Sequence, residues 1–159
     1  MTLVIRHAER ADVPLIAELI RGLAQFEKLE SEVTMTEERL AFNLFEPHQY
    51  AETLIAEEDD KPVGFALFFH NFSTFLAKPG LYLEDLFVIP ESRGRGIGRA
   101  LLKELARLAV ERDCGRLEWS VLDWNREAIA FYERLGARPN SEWTTYRLAG
   151  EALSALGRE

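Results

Sequence analysis

The sequence predicts an α/β domain, one mixed sheet with helices on its faces. Three observations predict it. Short runs of β-branched, aromatic and leucine residues alternate with stretches whose apolar residues recur every three or four positions. Turn chemistry separates these segments at residues 58–62, at residues 78–80 and at Pro90. The length of 159 residues, with 47% hydrophobic and 29% charged, suits a single domain with its own core rather than a disordered chain.

The elements follow in order. Residues 3–6 read as a first strand. Asp12 and Pro14 mark a helix start, and Ile16, Leu19, Ile20, Leu23 and Phe26 then recur at helical spacing. The acidic stretch 27–32 breaks that period and reads as a loop. Thr34 with Glu37 fits a capping box, with Thr36 as a rival cap, and Leu40, Leu44 and Phe45 give a second helix stopped by Pro47. Residues 53–56 and 63–69 form a hairpin around a polar turn, and residues 81–89 form the next strand. A glycine-rich turn opens a third helix, whose Ile97, Leu101, Leu105 and Leu108 lie on one face. Residues 116–122 read as a strand, and 125–135 as a helix closed by Gly136. Residues 144–148 read as a last strand, and the final residues as a short frayed helix. The expected order is β-α-α-β-β-β-α-β-α-β.

A net charge of −8 argues against a nucleic-acid backbone as partner and suits a cationic ligand. No apolar run approaches the roughly 20 residues of a membrane span, so no membrane partner is expected. The first residues lack the pattern of a signal peptide. The single cysteine, Cys114, excludes an intrachain disulfide and fits a reducing, cytoplasmic setting; it reads as a structural thiol. His7, His48 and His70 are scattered without metal-ligand spacing, so no metal is expected.

The most informative stretch is Arg93-Gly94-Arg95-Gly96-Ile97-Gly98-Arg99, between a strand and an amphipathic helix. A helix N-terminus presents free N–H groups and partial positive charge to an anion. Glycines let a phosphate approach the backbone, and Arg93, Arg95 and Arg99 offer charge-assisted hydrogen bonds. No Gly-Lys-Ser/Thr follows, so this is not a Walker loop. The spacing R-x-x-G-x-G resembles the acyl-CoA pyrophosphate motif of the GNAT superfamily of N-acetyltransferases. Asn125-Arg126-Glu127-Ala128-Ile129-Ala130-Phe131-Tyr132-Glu133-Arg134-Leu135-Gly136-Ala137 resembles that superfamily's second signature.

A closer resemblance is to the diamine N-acetyltransferases, the spermidine/spermine enzymes and their thialysine-acetylating relatives. Ala24-Gln25-Phe26-Glu27-Lys28, Leu81-Tyr82-Leu83-Glu84-Asp85-Leu86-Phe87-Val88, the glycine-rich turn, and Trp124-Asn125 with Phe131-Tyr132 carry it, across nearly the whole chain. The resemblance implies a mostly antiparallel GNAT sheet, acetyl-CoA as co-substrate and a homodimer. It implies that Leu86, Phe87 and Val88 pair with the pantetheine arm. Gly94 through Arg99 would cradle the pyrophosphate, and Asn125 and Ala128 would lie along the cofactor. Phe26, Glu27, Glu84, Trp119 and Asp123 would border the amine pocket. An acidic position expected after the last helix is not matched in Ser141-Glu142-Trp143-Thr144-Thr145-Tyr146, which leaves specificity for long polyamines unsupported.

The expected chemistry is direct transfer to a primary amine of a diamine, polyamine or lysine-like amino acid. An amine with a pKa near ~10 must shed a proton before it attacks. Glu84, through water, is the candidate acceptor. Glu84 and Asp85 face opposite sides of a regular strand, so only one faces the pocket unless a bulge re-aims the other. By the resemblance, the Val88 N–H supports the oxyanion and Tyr132 protonates the departing thiolate. The rivals are acetylation of a protein or peptide amine and a non-catalytic acetyl-CoA sensor.

Overall fold

The computed structural model describes residues 2–159 and divides into two compact units, one ending at Ser120 and one running Val121–Glu159. In the first unit, β1 (Leu3–His7), β2 (Glu52–Glu58), β3 (Lys61–Ser73), β4 (Lys78–Val88) and β5 (Leu117–Trp119) form one sheet in sequence order. The first three pairings are antiparallel, and β4 pairs β5 in parallel. Helices α1 (Val13–Phe26) and α2 (Glu37–Leu44) lie between β1 and β2, and α3 (Ile97–Glu111) makes the crossover from β4 to β5. The second unit holds α4 (Arg126–Arg134) and α5 (Gly150–Gly157).

The hairpin between β2 and β3 turns on Asp59 and Asp60, at φ 51° and 65°. Two consecutive left-handed residues match the strand twist, and aspartate tolerates them better than most side chains. Asp59 also exchanges two hydrogen bonds with Thr2, each 2.8 Å, which ties the start of β1 to this turn.

The sheet is buried on both faces. Ile55, Phe65, Leu67 and Phe87 pack with Ile16, Leu19 and Leu23 of α1 and Leu44 of α2. Gly22 lets the Phe87 ring approach: a Cβ there would lie 3.0 Å from it. The alternate residues Leu54, Ala66 and Phe68 are buried on the opposite face, where α3 packs with Ile97, Leu101, Leu105 and Leu108 inward. Each such side chain contributes about 1.5–3 kcal/mol, which accounts for the helical and alternating periods in the sequence.

Four expectations change in detail. Asp12 stands at the α1 N-cap, but its carboxylate accepts from the Glu9 N–H (2.7 Å) and from both arms of Arg6 (2.8 and 2.9 Å) instead of capping the helix. Arg6 holds the Asp12 carboxyl below its ordinary range and reaches Glu57 as well, joining β1, β2 and the entry to α1. Thr36, not Thr34, caps α2: its Oγ1 accepts from the Arg39 N–H at 3.1 Å. β5 ends at Trp119 rather than at residue 122. Residues 144–148 form no strand: no backbone hydrogen bond joins them to one among the described residues, and alternation without a partner edge does not make a ladder. The short final helix is present as α5.

The two threonines give a direct test. Thr36→Ala should lower stability by about 1 kcal/mol through loss of the α2 cap, and Thr34→Ala should leave it nearly unchanged. Urea unfolding of both variants measures the difference, and equal losses would move the cap back to Thr34.

Candidate active site

The centre of the first unit is an irregularity in β4. Pairing with β3 runs Phe68↔Leu83 and then Leu67↔Asp85, so Glu84 has no partner across the ladder. This is a β-bulge, one extra residue in one strand. Its effect on direction is large. Leu83 lies opposite Phe68, on the α3 face, whereas Asp85 lies opposite Leu67, on the α1 face with Phe65 and Phe87. Without the extra residue, Leu83 and Asp85 would share one face.

Asp85 therefore points toward the α1 side, where Glu27 follows the last turn of the helix. Burial, helped by the charges of Glu84 and Glu27, pushes the Asp85 carboxyl from 3.8 up to about 7. Burial also raises Glu27. Glu84 itself is exposed. Burial together with two neighbouring carboxylates thus leaves Asp85 able to gain or lose a proton near neutrality. Phe26 and Glu27, read from the sequence as pocket residues, are brought to this place with Glu84. Asp85 is the member that the sequence did not nominate; an aspartate inside an otherwise apolar strand was the available signal.

The bulge also marks where the sheet opens. β5 pairs β4 only through Leu81↔Leu117, Tyr82↔Glu118 and Leu83↔Trp119. Beyond Leu83 that side of β4 has no strand against it among the described residues. The Ile89 N–H bonds the Val63 carbonyl (2.9 Å), so by antiparallel alternation Phe87 also bonds toward β3. Leu86 and Val88 then direct their N–H and C=O groups to the open edge. The Val88 carbonyl is taken by Arg93 Nε (2.9 Å), which leaves its N–H as the donor on that side. Trp119 is half-buried at the end of β5, on the rim of the opening.

The glycine-rich turn follows at once. Gly94 and Gly96 have φ of 78° and 81°, a region that favours glycine, and Gly96 is the N-cap of α3. A Cβ placed on Gly94, Gly96 or Gly98 would meet nothing within 4 Å, so all three border open space. Ile97 is buried and contributes only its backbone. The unbonded N–H groups of the first helical turn complete a cradle with room and polarity for a phosphate. Two arginines are committed to the protein. Arg95 pairs with Glu58 and donates to the Glu91 carbonyl (3.0 Å), and Arg93 stacks on Phe26 and Phe87, 4.4 and 5.4 Å from the ring centroids. Arg99 is exposed on α3 and forms no ion pair among the described residues.

In the second unit, Asn125 caps α4 by accepting the Ala128 N–H at 3.2 Å. Tyr132 lies on this helix with its ring 5.5 Å from that of Phe131. Gly136, at φ 93°, ends the helix, and the Ala137 N–H bonds back to the Tyr132 carbonyl at 3.2 Å. Asp123 precedes this helix. Cys114 is half-buried and burial raises its thiol, consistent with an inert group. Among the described residues no group of His, Cys, Asp and Glu is arranged to hold a metal ion, and no helix is long and apolar enough to cross a membrane.

Asp85 has a consequence for stability. Its folded value lies above its unfolded one, so the folded state binds the extra proton between about pH 4 and 7. Stability is then highest below that window and falls as pH rises through it. Asp85→Asn should be more stable than the parent at pH 8, by on the order of 1–4 kcal/mol, and the gain should vanish near pH 4. Urea unfolding across this range tests it; a gain independent of pH would show that Asp85 is not held protonated by burial.

Comparison with known proteins bears on the family and the fold. The model of the Acetyltransferase (GNAT) family matches residues 17–137. Thialysine N-epsilon-acetyltransferases from Sus scrofa and Bos taurus are 36% and 37% identical, covering 98% and 96% of this chain and 97% and 96% of theirs. An L-ornithine N5-acetyltransferase from Arabidopsis thaliana is 35% identical over 97% of this chain and 87% of its own. An integron cassette protein structure from the mobile metagenome of V. cholerae superimposes with a TM-score of 0.83 at 30% identity, covering 100% of this chain and 99% of that one. The chain belongs to the GNAT acetyltransferase family and is an acyltransferase enzyme.

Proposed function

We propose that the protein transfers an acetyl group from acetyl-CoA to a primary amine of a small cationic substrate, an amino acid of the lysine or ornithine type or a diamine, by direct attack. The observation that carries this reading is the carboxylate group at the β4 bulge. There burial, helped by the charges of Glu84 and Glu27, pushes the Asp85 carboxyl up to about 7, next to the open edge of Leu86 and Val88. The named activities of the thialysine and ornithine relatives support the substrate class.

Acetyl-CoA supplies the thioester, and the rest is done by this chain's residues. The main-chain N–H groups from Gly94 through Arg99 bind the pyrophosphate. Leu86 and Val88 extend the sheet's hydrogen bonding to the pantetheine arm, with Phe87 fixing the strand from below. Glu27 and Glu84 attract the ammonium group with Phe26 and Trp119 beside it, and the diamine acetyltransferase resemblance adds Asp123 to the amine pocket. Glu84, through water, receives the amine's proton with Asp85 beside it, whose carboxyl burial raises to about 7; an ordinary carboxylate would be too weak a base for this at neutral pH. The Val88 N–H donates to the oxygen on which negative charge develops. By the diamine acetyltransferase resemblance, Tyr132 donates a proton to the leaving sulfur, and Asn125 and Ala128 lie along the cofactor. The working assembly is a homodimer in the cytoplasm. The diamine acetyltransferase resemblance supports the dimer, and the lone half-buried cysteine supports the compartment.

Two measurements test the roles. The free-enzyme profile of kcat/KM should rise through an apparent pKa of about 7 as Asp85 ionises. Asp85→Asn should lose that limb and fall roughly 10²–10⁴-fold, and a profile unchanged in the variant would remove Asp85 from the proton path. Tyr132→Phe should lower kcat by about 10²-fold or more with little change in CoA affinity by calorimetry. Unchanged turnover would assign the proton elsewhere. Release of free CoA, followed with lysine-like amino acids, diamines, polyamines and peptides in parallel, identifies the amine. Tight CoA binding without release for any of them would make the protein a sensor.

A further inference from the structure

The sequence assigns Arg93 to the phosphate, as the first residue of R-x-x-G-x-G, but its side chain is already engaged. Its Nε donates to the Val88 carbonyl at 2.9 Å. Its guanidinium lies over the Phe26 ring at 4.4 Å and over Phe87 at 5.4 Å. The first contact is at the end of β4, the second at the last residue of α1 beside Glu27, and the third in the core under the same strand. One planar cation, carried by the first residue of the glycine-rich loop, thus touches the end of β4, the last residue of α1 and the core beneath β4.

The geometry points to Arg93 as a positioning residue that couples the amine-binding end of α1 to the Val88 donor, rather than as a phosphate ligand. This rests on the transfer reading above. Two physical effects follow. The Val88 carbonyl shares the open edge with the Val88 N–H, and an unpaired carbonyl there would repel the oxygen on which charge accumulates. The guanidinium neutralises that dipole. The ring of Phe26 presents its negative face to the same cation, so the position of Phe26, and of Glu27 next to it, is set by Arg93. Lysine cannot reproduce this, because it lacks the flat face and the fixed fork of donors.

The test compares Arg93→Lys, Phe26→Leu and the double variant with the parent enzyme, by steady-state kinetics in both substrates, CoA calorimetry and thermal melting. Arg93→Lys should lower kcat and raise the amine KM together, reducing kcat/KM for the amine roughly 10–100-fold, with CoA affinity nearly unchanged. Phe26→Leu should act mainly on the amine KM. The double variant should be no worse than Arg93→Lys, because the same contact is lost in both. Additive losses would overturn the coupling. A CoA affinity about tenfold weaker in Arg93→Lys, with amine kinetics restored at saturating acetyl-CoA, would return the side chain to the phosphate. A variant that melts early but retains parent kinetic constants below its transition would leave Arg93 a purely structural staple and sink the proposal. The parent assayed alongside separates the two readings. No CoA release from the parent with any amine defeats the transfer reading, whereas lost CoA affinity in Arg93→Lys defeats only this one.

Discussion

The single extra residue at Glu84 governs what β4 can present. A regular strand would send Leu83 and Asp85 to the same face, so Asp85 would share the α3 side with Leu83 and Phe68. The bulge turns Asp85 toward α1, keeps Phe87 in the core cluster and leaves Glu84 without a ladder partner. It falls directly after Leu83, the last residue paired to β5, so the re-aimed carboxylate stands where the edge of β4 opens.

Exposed backbone donors normally bond water, and an open β edge invites another chain. Here the opening is short and bounded. Leu81 to Leu83 are closed by β5, and the far end is closed by Arg93 on the Val88 carbonyl. Arg95, through Glu58, anchors the following loop to the end of β2. Glu58 is buried, and its second oxygen has no hydrogen-bond partner among the described residues, so one charge-assisted contact carries that anchor. The glycine turn is thus held from outside its own segment, with its free N–H groups pointing into open space. Such preorganisation lowers the ordering cost of binding a phosphate.

Much of this was legible in the residues, for reasons that differ by element. The helices showed because buried residues repeat at 3.6, as Ile16, Leu19 and Leu23 do. The hairpin showed because Asp59-Asp60 interrupts two apolar runs. The cradle showed because positive φ at Gly94 and Gly96 requires what the sequence supplies. Three features did not show. The bulge depends on register between two strands, which no local pattern records. Asp12 marks the start of α1, but that it does not cap is not local: Arg6, six residues earlier, takes the carboxylate with two hydrogen bonds. Residues 144–148 have strand composition, but β propensity expresses packing against neighbours, and no neighbour strand pairs with them. Glu84 was nominated for its place in the motif, whereas the strongest perturbation falls on Asp85, because burial and not sequence identity sets a carboxyl's pKa.

The charge of the whole chain and the charge of the site work at different ranges. A net −8 spread over the surface is screened within about 8 Å at physiological salt, so it steers an ammonium ion only weakly at a distance. Glu27, Glu84 and Asp85 act at contact, where burial weakens screening. Their arrangement also resolves a conflict in the chemistry. Attraction of a cation favours ionised carboxylates, but acceptance of its proton requires a carboxylate of raised pKa. At Asp85 the second requirement is met by burial first, with the charges of Glu84 and Glu27 adding to it. In the proposed transfer, an arriving ammonium lowers the Asp85 value again, so the acceptor is ionised when the substrate is in place and regains basicity as the amine gives up its charge.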